Sequence, residues 1–161
     1  MASSLVPRWL EEQCDRIADN ESPHDITPIT NLNMNLRRLD YPMTEALARA
    51  LSQSSQIQAV NLTWSLVEAN TCSDRKLIPL AEVLRYHSSL EVLYLSYNRL
   101  ASAVPLGLAL STNTTLRELH LDHNRLTSDC AIAIAQGLSQ NSHHTKLAVL
   151  CLNSNSLGDR G

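Results

Sequence analysis

Leu90-Glu91-Val92-Leu93-Tyr94-Leu95-Ser96-Tyr97-Asn98-Arg99-Leu100 sets leucines at its first, fourth, sixth and last places and an asparagine two places before the end. The same frame returns as Leu116, Leu119, Leu121, Asn124 and Leu126, and again as Leu147, Leu150, Leu152, Asn155 and Leu157. Two looser copies lie upstream. One has Ile57, Val60, Leu62 and Val67 with Ser65 in the asparagine place; the other has Ile29, Leu32, Met34 and Leu39 with Arg37 there. Copies therefore start at 29, 57, 90, 116 and 147, between 26 and 33 residues apart. Within each copy apolar residues alternate, the pattern of a short strand with one buried face. Units of this length cannot bury their apolar faces alone and must stack on one another.

The segments between copies read as helices. Ala131, Ile134, Ala135 and Leu138 recur at i, i+3, i+4 and i+7, one face of a helix. Ser128 and Asp129 precede them as cap and first-turn acid. Thr44 stands ahead of Glu45 and the run Ala46–Leu51 as a second expected cap. Pro105 lies early in its segment, where a missing N–H does no harm. Ala46, Ala50, Ala81, Ala109, Ala131 and Ala135 are small enough to let helices lie close to the strand layer.

Strand alternating with helix, the stretch from Gly107 to Leu126 and the ending Asn155–Gly161 resemble the ribonuclease-inhibitor type of leucine-rich repeat. The resemblance spans roughly residues 29–161, is strongest in the last three copies, and departs from the pattern at Arg37 and Ser65. It implies a right-handed α/β solenoid, a short horseshoe with parallel strands on the concave face and helices on the convex one. Proteins of this class include ribonuclease inhibitors, Ran GTPase activators, tropomodulin-type actin regulators and the sensor arms of immune receptors. The resemblance thus implies a protein–protein interaction module, an adaptor or scaffold. The alternatives are a regulator of a small GTPase resembling the Ran activators, or a fragment of a larger repeat-containing receptor.

The repeated asparagine has a physical reason. Each strand turns sharply into a loop, stranding backbone N–H and C=O groups, and a buried amide offers both donors and an acceptor. Asn98, Asn124 and Asn155 are expected to form a structural ladder. Ser65 is a shorter substitute, and Arg37 suggests an altered, more open first turn.

Residues 1–28 are expected to form an N-terminal helical cap, with Leu10, Cys14 and Ile17 on one face and Trp9 beside them. Pro23 and Pro28 end that helix, and the repeat domain of about five units runs from 29 to 161. The last unit is incomplete. Its exposed apolar end suggests either a piece of a longer array or self-association through that end.

Concave positions follow from the two-residue period. They form four rows across the copies. Asn31, Ala59, Val92, Glu118 and Val149 make the first, and Asn33, Asn61, Tyr94, His120 and Cys151 the second. Asn35, Thr63, Ser96, Asp122 and Asn153 make the third, and Leu36, Trp64, Tyr97, His123 and Ser154 the fourth. Trp and Tyr are common interface anchors. Trp64, Tyr94, Tyr97, His120, Asp122 and His123 are therefore the candidate partner-binding patch. Arg38, Arg99 and Arg125 form a basic ridge suited to an acidic partner.

Other chemistry finds little support. His120-x-Asp122-His123 carries metal-ligand atoms, but residue 123 opens the turn, and no further acid or cysteine within the motif completes a tetrahedral site. His143 and His144 belong to a loop. None of the four glycines forms a phosphate-binding pattern, and no paired carboxylates or nucleophile motif appear. No enzyme activity, cofactor or metal is expected. A net charge of −3 argues against nucleic acid. No apolar run approaches the roughly 18 residues of a membrane span, and residues 1–9 lack the apolar core of a secretory signal. Cys14, Cys72, Cys130 and Cys151 are scattered, as in reduced proteins. A cytoplasmic or nuclear location is expected, with another protein as partner.

Overall fold

The computed structural model describes residues 6–19, 30–67 and 74–158. Five three-residue strands form one parallel sheet in chain order: β1 (Asn31–Asn33), β2 (Ala59–Asn61), β3 (Val92–Tyr94), β4 (Glu118–His120) and β5 (Val149–Cys151). Between and before them run α1 (Arg8–Asp19), α2 (Tyr41–Ser52), α3 (Asp74–Tyr86), α4 (Val104–Leu110) and α5 (Ser128–Gln140). Each helix packs on the next in sequence, as each strand pairs with the next. The result is an α/β solenoid. No described helix is long and apolar enough to cross a membrane.

The core lies between the two layers. Leu32, Val60, Leu93 and Leu119, the middle residues of four strands, are buried, as are Met34, Leu62, Leu95 and Leu121 two residues on. Leu47, Leu51, Leu77, Leu84, Leu106, Leu110 and Ile134 meet them from the helices. In the last coil Leu147, Leu150, Leu152 and Leu157 are only partly buried. At the other end Leu10 and Ile17 of α1 are fully buried with Cys14 partly so, and α1 lies on α2.

Several local expectations change. The α2 cap is Asp40, whose Oδ1 accepts from the Met43 N–H at 2.9 Å. Thr44 is buried inside the helix, its hydroxyl donating to the carbonyls of Asp40 and Tyr41. Pro42 follows the cap, where its fixed φ suits a first turn. Thr127 rather than Ser128 holds the N-cap position of α5, without a side-chain hydrogen bond to the first turn. The buried face of α5 is Cys130, Ile134 and Gly137, and Ala135 is exposed. Among the described residues α5 has only α4 as a helix neighbour, so its far flank faces outward. In the second copy Leu66, not Val67, fills the core, because the Leu66 N–H is drawn to Asn98 Oδ1 at 2.9 Å.

The first turn is not more open than the others. Leu36 and Arg38 take the same left-handed backbone, φ 61° and 52°, as Tyr97 and Arg99 at 61° and 54°. Arg37 needs no buried partner there: it is exposed and its guanidinium lies 5.2 Å from the Trp9 ring of α1. Pro23 and Pro28, expected to end the first helix, lie outside the described residues, as do Ile29, Cys72 and residues 159–161.

Candidate functional site

The strand pairing aligns the concave rows directly. Asn33, Asn61, Tyr94, His120 and Cys151 are paired in register, as are Asn31, Ala59, Val92, Glu118 and Val149. Beyond the strands the ladder continues: the N–H groups of Leu36, Trp64, Tyr97 and His123 donate to Thr63, Ser96, Asp122 and Asn153 of the next coil. Side chains of one row therefore stand about 4.8 Å apart, the spacing of neighbouring strands. That is also close to the distance at which aromatic rings stack.

The fourth row turns this coincidence into a stack. Leu36, Trp64, Tyr97, His123 and Ser154 all have left-handed φ, between 54° and 61°. This conformation is uncommon for bulky side chains and swings them outward at the rim. Trp64 and Tyr97 lie 5.1 Å apart at 12°, and Tyr97 and His123 lie 4.2 Å apart at 9°. A second stack sits two rows inward, Tyr94 on His120 at 4.5 Å. Trp64 is 42% exposed and Leu36 beside it 66%. His123 is exposed, while Tyr94, Tyr97, His120 and Asp122 are half-buried.

Polar contacts tie the inner stack down. His120 Nε2 lies 3.2 Å from Glu118 Oε2. Asp122 Oδ1 accepts from the backbone N–H and the side-chain amide of Asn153 at 2.9 and 2.8 Å. The six candidate residues thus form two adjoining columns, Trp64–Tyr97–His123 at the rim and Tyr94–His120 on the strands, with Asp122 between them. Arg38, Arg99 and Arg125 are all exposed. Arg38 and Arg99 line a cleft with Leu36, Asp40, Trp64, Val67 and Lys76; Arg125 does not reach it.

Beneath the patch lies a continuous hydrogen-bond network. Asn98 Oδ1 accepts from Leu66, and its Nδ2 donates to the carbonyls of Leu62 and Leu95. Asn124 Oδ1 accepts from the N–H groups of Asn98 and Leu100, and its Nδ2 donates to Leu95 and Leu121. Asn155 does the same for Leu126, Leu121 and Leu152. Ser65 donates to the Met34 carbonyl. Each amide joins two coils, so the turn that presents the aromatics is held from below.

Two features escaped the sequence reading. One is a second buried polar row at the helix C-terminal ends, Ser54, His87, Asn113 and Asn141. Asn113 Nδ2 donates to Leu84, and Asn141 Nδ2 to Leu110 and Asn113. Burial holds the His87 ring below its ordinary pKa, only partly offset by the Leu51 carbonyl. The other is Cys151. Its strand register sets it beside His120, and one ligand atom each from His120, Asp122 and Cys151 lie within 4.8 Å of one another. The alignment of rows places Cys151 next to His120, whereas the contiguous motif His120-x-Asp122-His123 does not contain it.

Comparisons with known proteins agree with this architecture. The Leucine Rich Repeat family matches residues 89–110, and the related Leucine Rich repeat family matches 112–135. No curated protein matches the chain. Among solved structures, the tropomodulin C-terminal domain of Caenorhabditis elegans superposes with a TM-score of 0.70 at 17% identity, over 89% of this chain and 81% of that one. A structure described as leiomodin-1 actin-binding site 2 gives 0.47 at 18% identity, over 94% and 64%. Five coils, a shared asparagine network and two matching family segments give this chain the leucine-rich repeat fold.

Proposed function

We propose that this chain is an adaptor or scaffold that binds another protein on its concave face and rim, through Trp64, Tyr94, Tyr97, His120, Asp122 and His123. In this reading the repeats are of the ribonuclease-inhibitor type, and residues 1–28 cap an array that runs from 29 to 161. The observation that carries it is the aromatic stack in left-handed backbone. Trp64, Tyr97 and His123 hold φ values of 57°, 61° and 54°, where glycine or asparagine is the easier choice. The turn holds Leu36 and Ser154 in the same backbone, and in the three coils between them it presents rings that stack on one another. The stack exposes a rigid, flat, amphipathic strip, and such aromatic anchors dominate binding energy at interfaces.

The test is affinity capture with the wild-type chain and a Trp64→Ala/Tyr94→Ala/Tyr97→Ala variant, after circular dichroism shows both folded. A partner retained by the wild type and lost from the variant supports the patch. Identical partners on both would move the working surface elsewhere, with Arg38 and Arg99 the next residues to change. If the partner proves to be a small GTPase, nucleotide hydrolysis measured with and without the chain separates a regulator from an adaptor.

A further inference from the structure

We infer that the concave face carries a transition-metal site, suited to zinc, built by His120 of β4, Asp122 just beyond it and Cys151 of β5. The three residues come from one face of two paired strands: His120 and Cys151 are register partners, and Asp122 is two residues past His120. Their ligand atoms, one per residue, lie within 4.8 Å of one another. Zinc binds nitrogen at about 2.0–2.1 Å and thiolate at about 2.3 Å in a tetrahedron, which sets donors about 3.4–3.6 Å apart. Closing from the present spacing asks for an ångström or so, within reach of small side-chain rotations.

The donor set selects the ion class. Imidazole nitrogen, thiolate and carboxylate suit zinc and its neighbours, whereas calcium and magnesium take oxygen alone. One thiolate and one carboxylate with a neutral imidazole balance a dication. The surroundings also hold the ligands in place. Glu118 engages His120 Nε2 at 3.2 Å, the carboxylate–imidazole arrangement that orients a ligating ring. Tyr94 covers the ring at 4.5 Å. Asn153 holds Asp122 through two hydrogen bonds at 2.9 and 2.8 Å. All three ligands are half-buried, so an ion can enter from the concave groove. Three protein ligands leave a fourth position there for water or for a donor on a bound partner. The proposal stands apart from the adaptor reading, since the isolated chain is enough to test it.

The test is titration of the tag-free, reduced chain with Zn2+ by calorimetry and with Co2+ by absorption. One equivalent of ion is expected, with a thiolate-to-cobalt charge-transfer band. Cys151→Ser should remove the band and His120→Gln should abolish tight binding, while Cys14→Ser leaves both intact. Glu118→Gln, which alters the group holding the ligating ring, should weaken binding by about 10–100-fold. Wild-type chain without the cobalt–thiolate band would overturn the site. So would a band that survives Cys151→Ser or disappears with Cys14→Ser.

Discussion

His87 and Asn113 hold the same place in successive coils, and each closes its loop by accepting two backbone N–H groups. His87 Nδ1 accepts from Ser89 and Leu90 at 3.3 and 3.0 Å; Asn113 Oδ1 accepts from Thr115 and Leu116 at 3.1 and 2.8 Å. The difference lies in the donor. Asn113 Nδ2 reaches the Leu84 carbonyl at 2.6 Å, while His87 Nε2 is buried and has the Leu51 carbonyl nearby without a well-formed hydrogen bond.

A pH dependence follows. Burial lowers the folded-state pKa of His87 below its ordinary 6.5, so the unfolded chain takes up the proton first. Stability is then unaffected well above 6.5, falls as pH drops through that value, and levels off below the lowered folded value. Protonation would also end the acceptor role of Nδ1. His87→Asn should keep both loop bonds, replace the titrating ring with a neutral amide, and flatten the slope. Urea unfolding at about pH 7.5 and about pH 5.5 brackets the histidine range; a variant that loses as much stability as wild type between the two would refute the assignment.

Gly107 and Gly137 set the separation of α4 and α5. A Cβ on Gly137 would lie 2.0 Å from the Gly107 carbonyl oxygen, and one on Gly107 would lie 2.4 Å from that of Ala133. Both obstacles are backbone, so the helices must move apart. Alanine gains up to about 1 kcal/mol over glycine in helix propensity. Overpacking nevertheless costs about 1–3 kcal/mol, and Gly137→Ala should therefore lower stability on balance. Thermal unfolding of that variant checks this; a rise in midpoint would mean the helices are not in contact.

Asn124 should matter more than Asn155. Asn124 is buried and serves two N–H groups and the carbonyls of Leu95 and Leu121. Its removal strands several buried groups at about 1–3 kcal/mol each, so Asn124→Ala should cost about 3–5 kcal/mol. That is a large share of the roughly 5–15 kcal/mol that holds a domain together. Asn155 is only half-buried, and water can replace part of what its amide provides, so Asn155→Ala should cost about 1–2 kcal/mol. Denaturant unfolding ranks them, and amide exchange should speed at Asn98 and Leu100 only in the first variant. Equal losses would mean the network does not weigh burial as described.

What could be read in advance was whatever repeats as a letter. Leu93, Leu119 and Leu150, with Asn98, Asn124 and Asn155, recur at one spacing and place the strands and turns. The row Ser54, His87, Asn113 and Asn141 recurs as a function only: four side chains of three kinds sit where a helix end meets a loop, and no common letter marks them. The α2 cap was legible in Asp40-Tyr41-Pro42 but was read at Thr44, because a threonine before helix formers looks alike in both roles. Leu66 displaced Val67 because a hydrogen bond from the next coil, not hydrophobicity, chooses between neighbouring apolar residues. The candidate site depended on alignment between coils. Cys151 follows His120 by 31 residues, and stacking of Trp64 on Tyr97 needed the left-handed turn as well as the row.

That turn yields the last prediction. Ser154 holds φ 55° and is exposed, so Ser154→Gly removes backbone strain and costs only added freedom in the unfolded chain. It should leave stability unchanged or raise it by up to about 1 kcal/mol. Tyr97→Gly gains the same relief at φ 61° but loses its contacts with both Trp64 and His123. Each such contact is worth about 0.5–1.5 kcal/mol, so Tyr97→Gly should be less stable than wild type. The two substitutions therefore separate relief of backbone strain from loss of the stack. Unfolding of both, with Trp64 fluorescence as a second readout that should shift in the Tyr97 variant alone, decides it: equal gains would show that the rings stand side by side without holding one another.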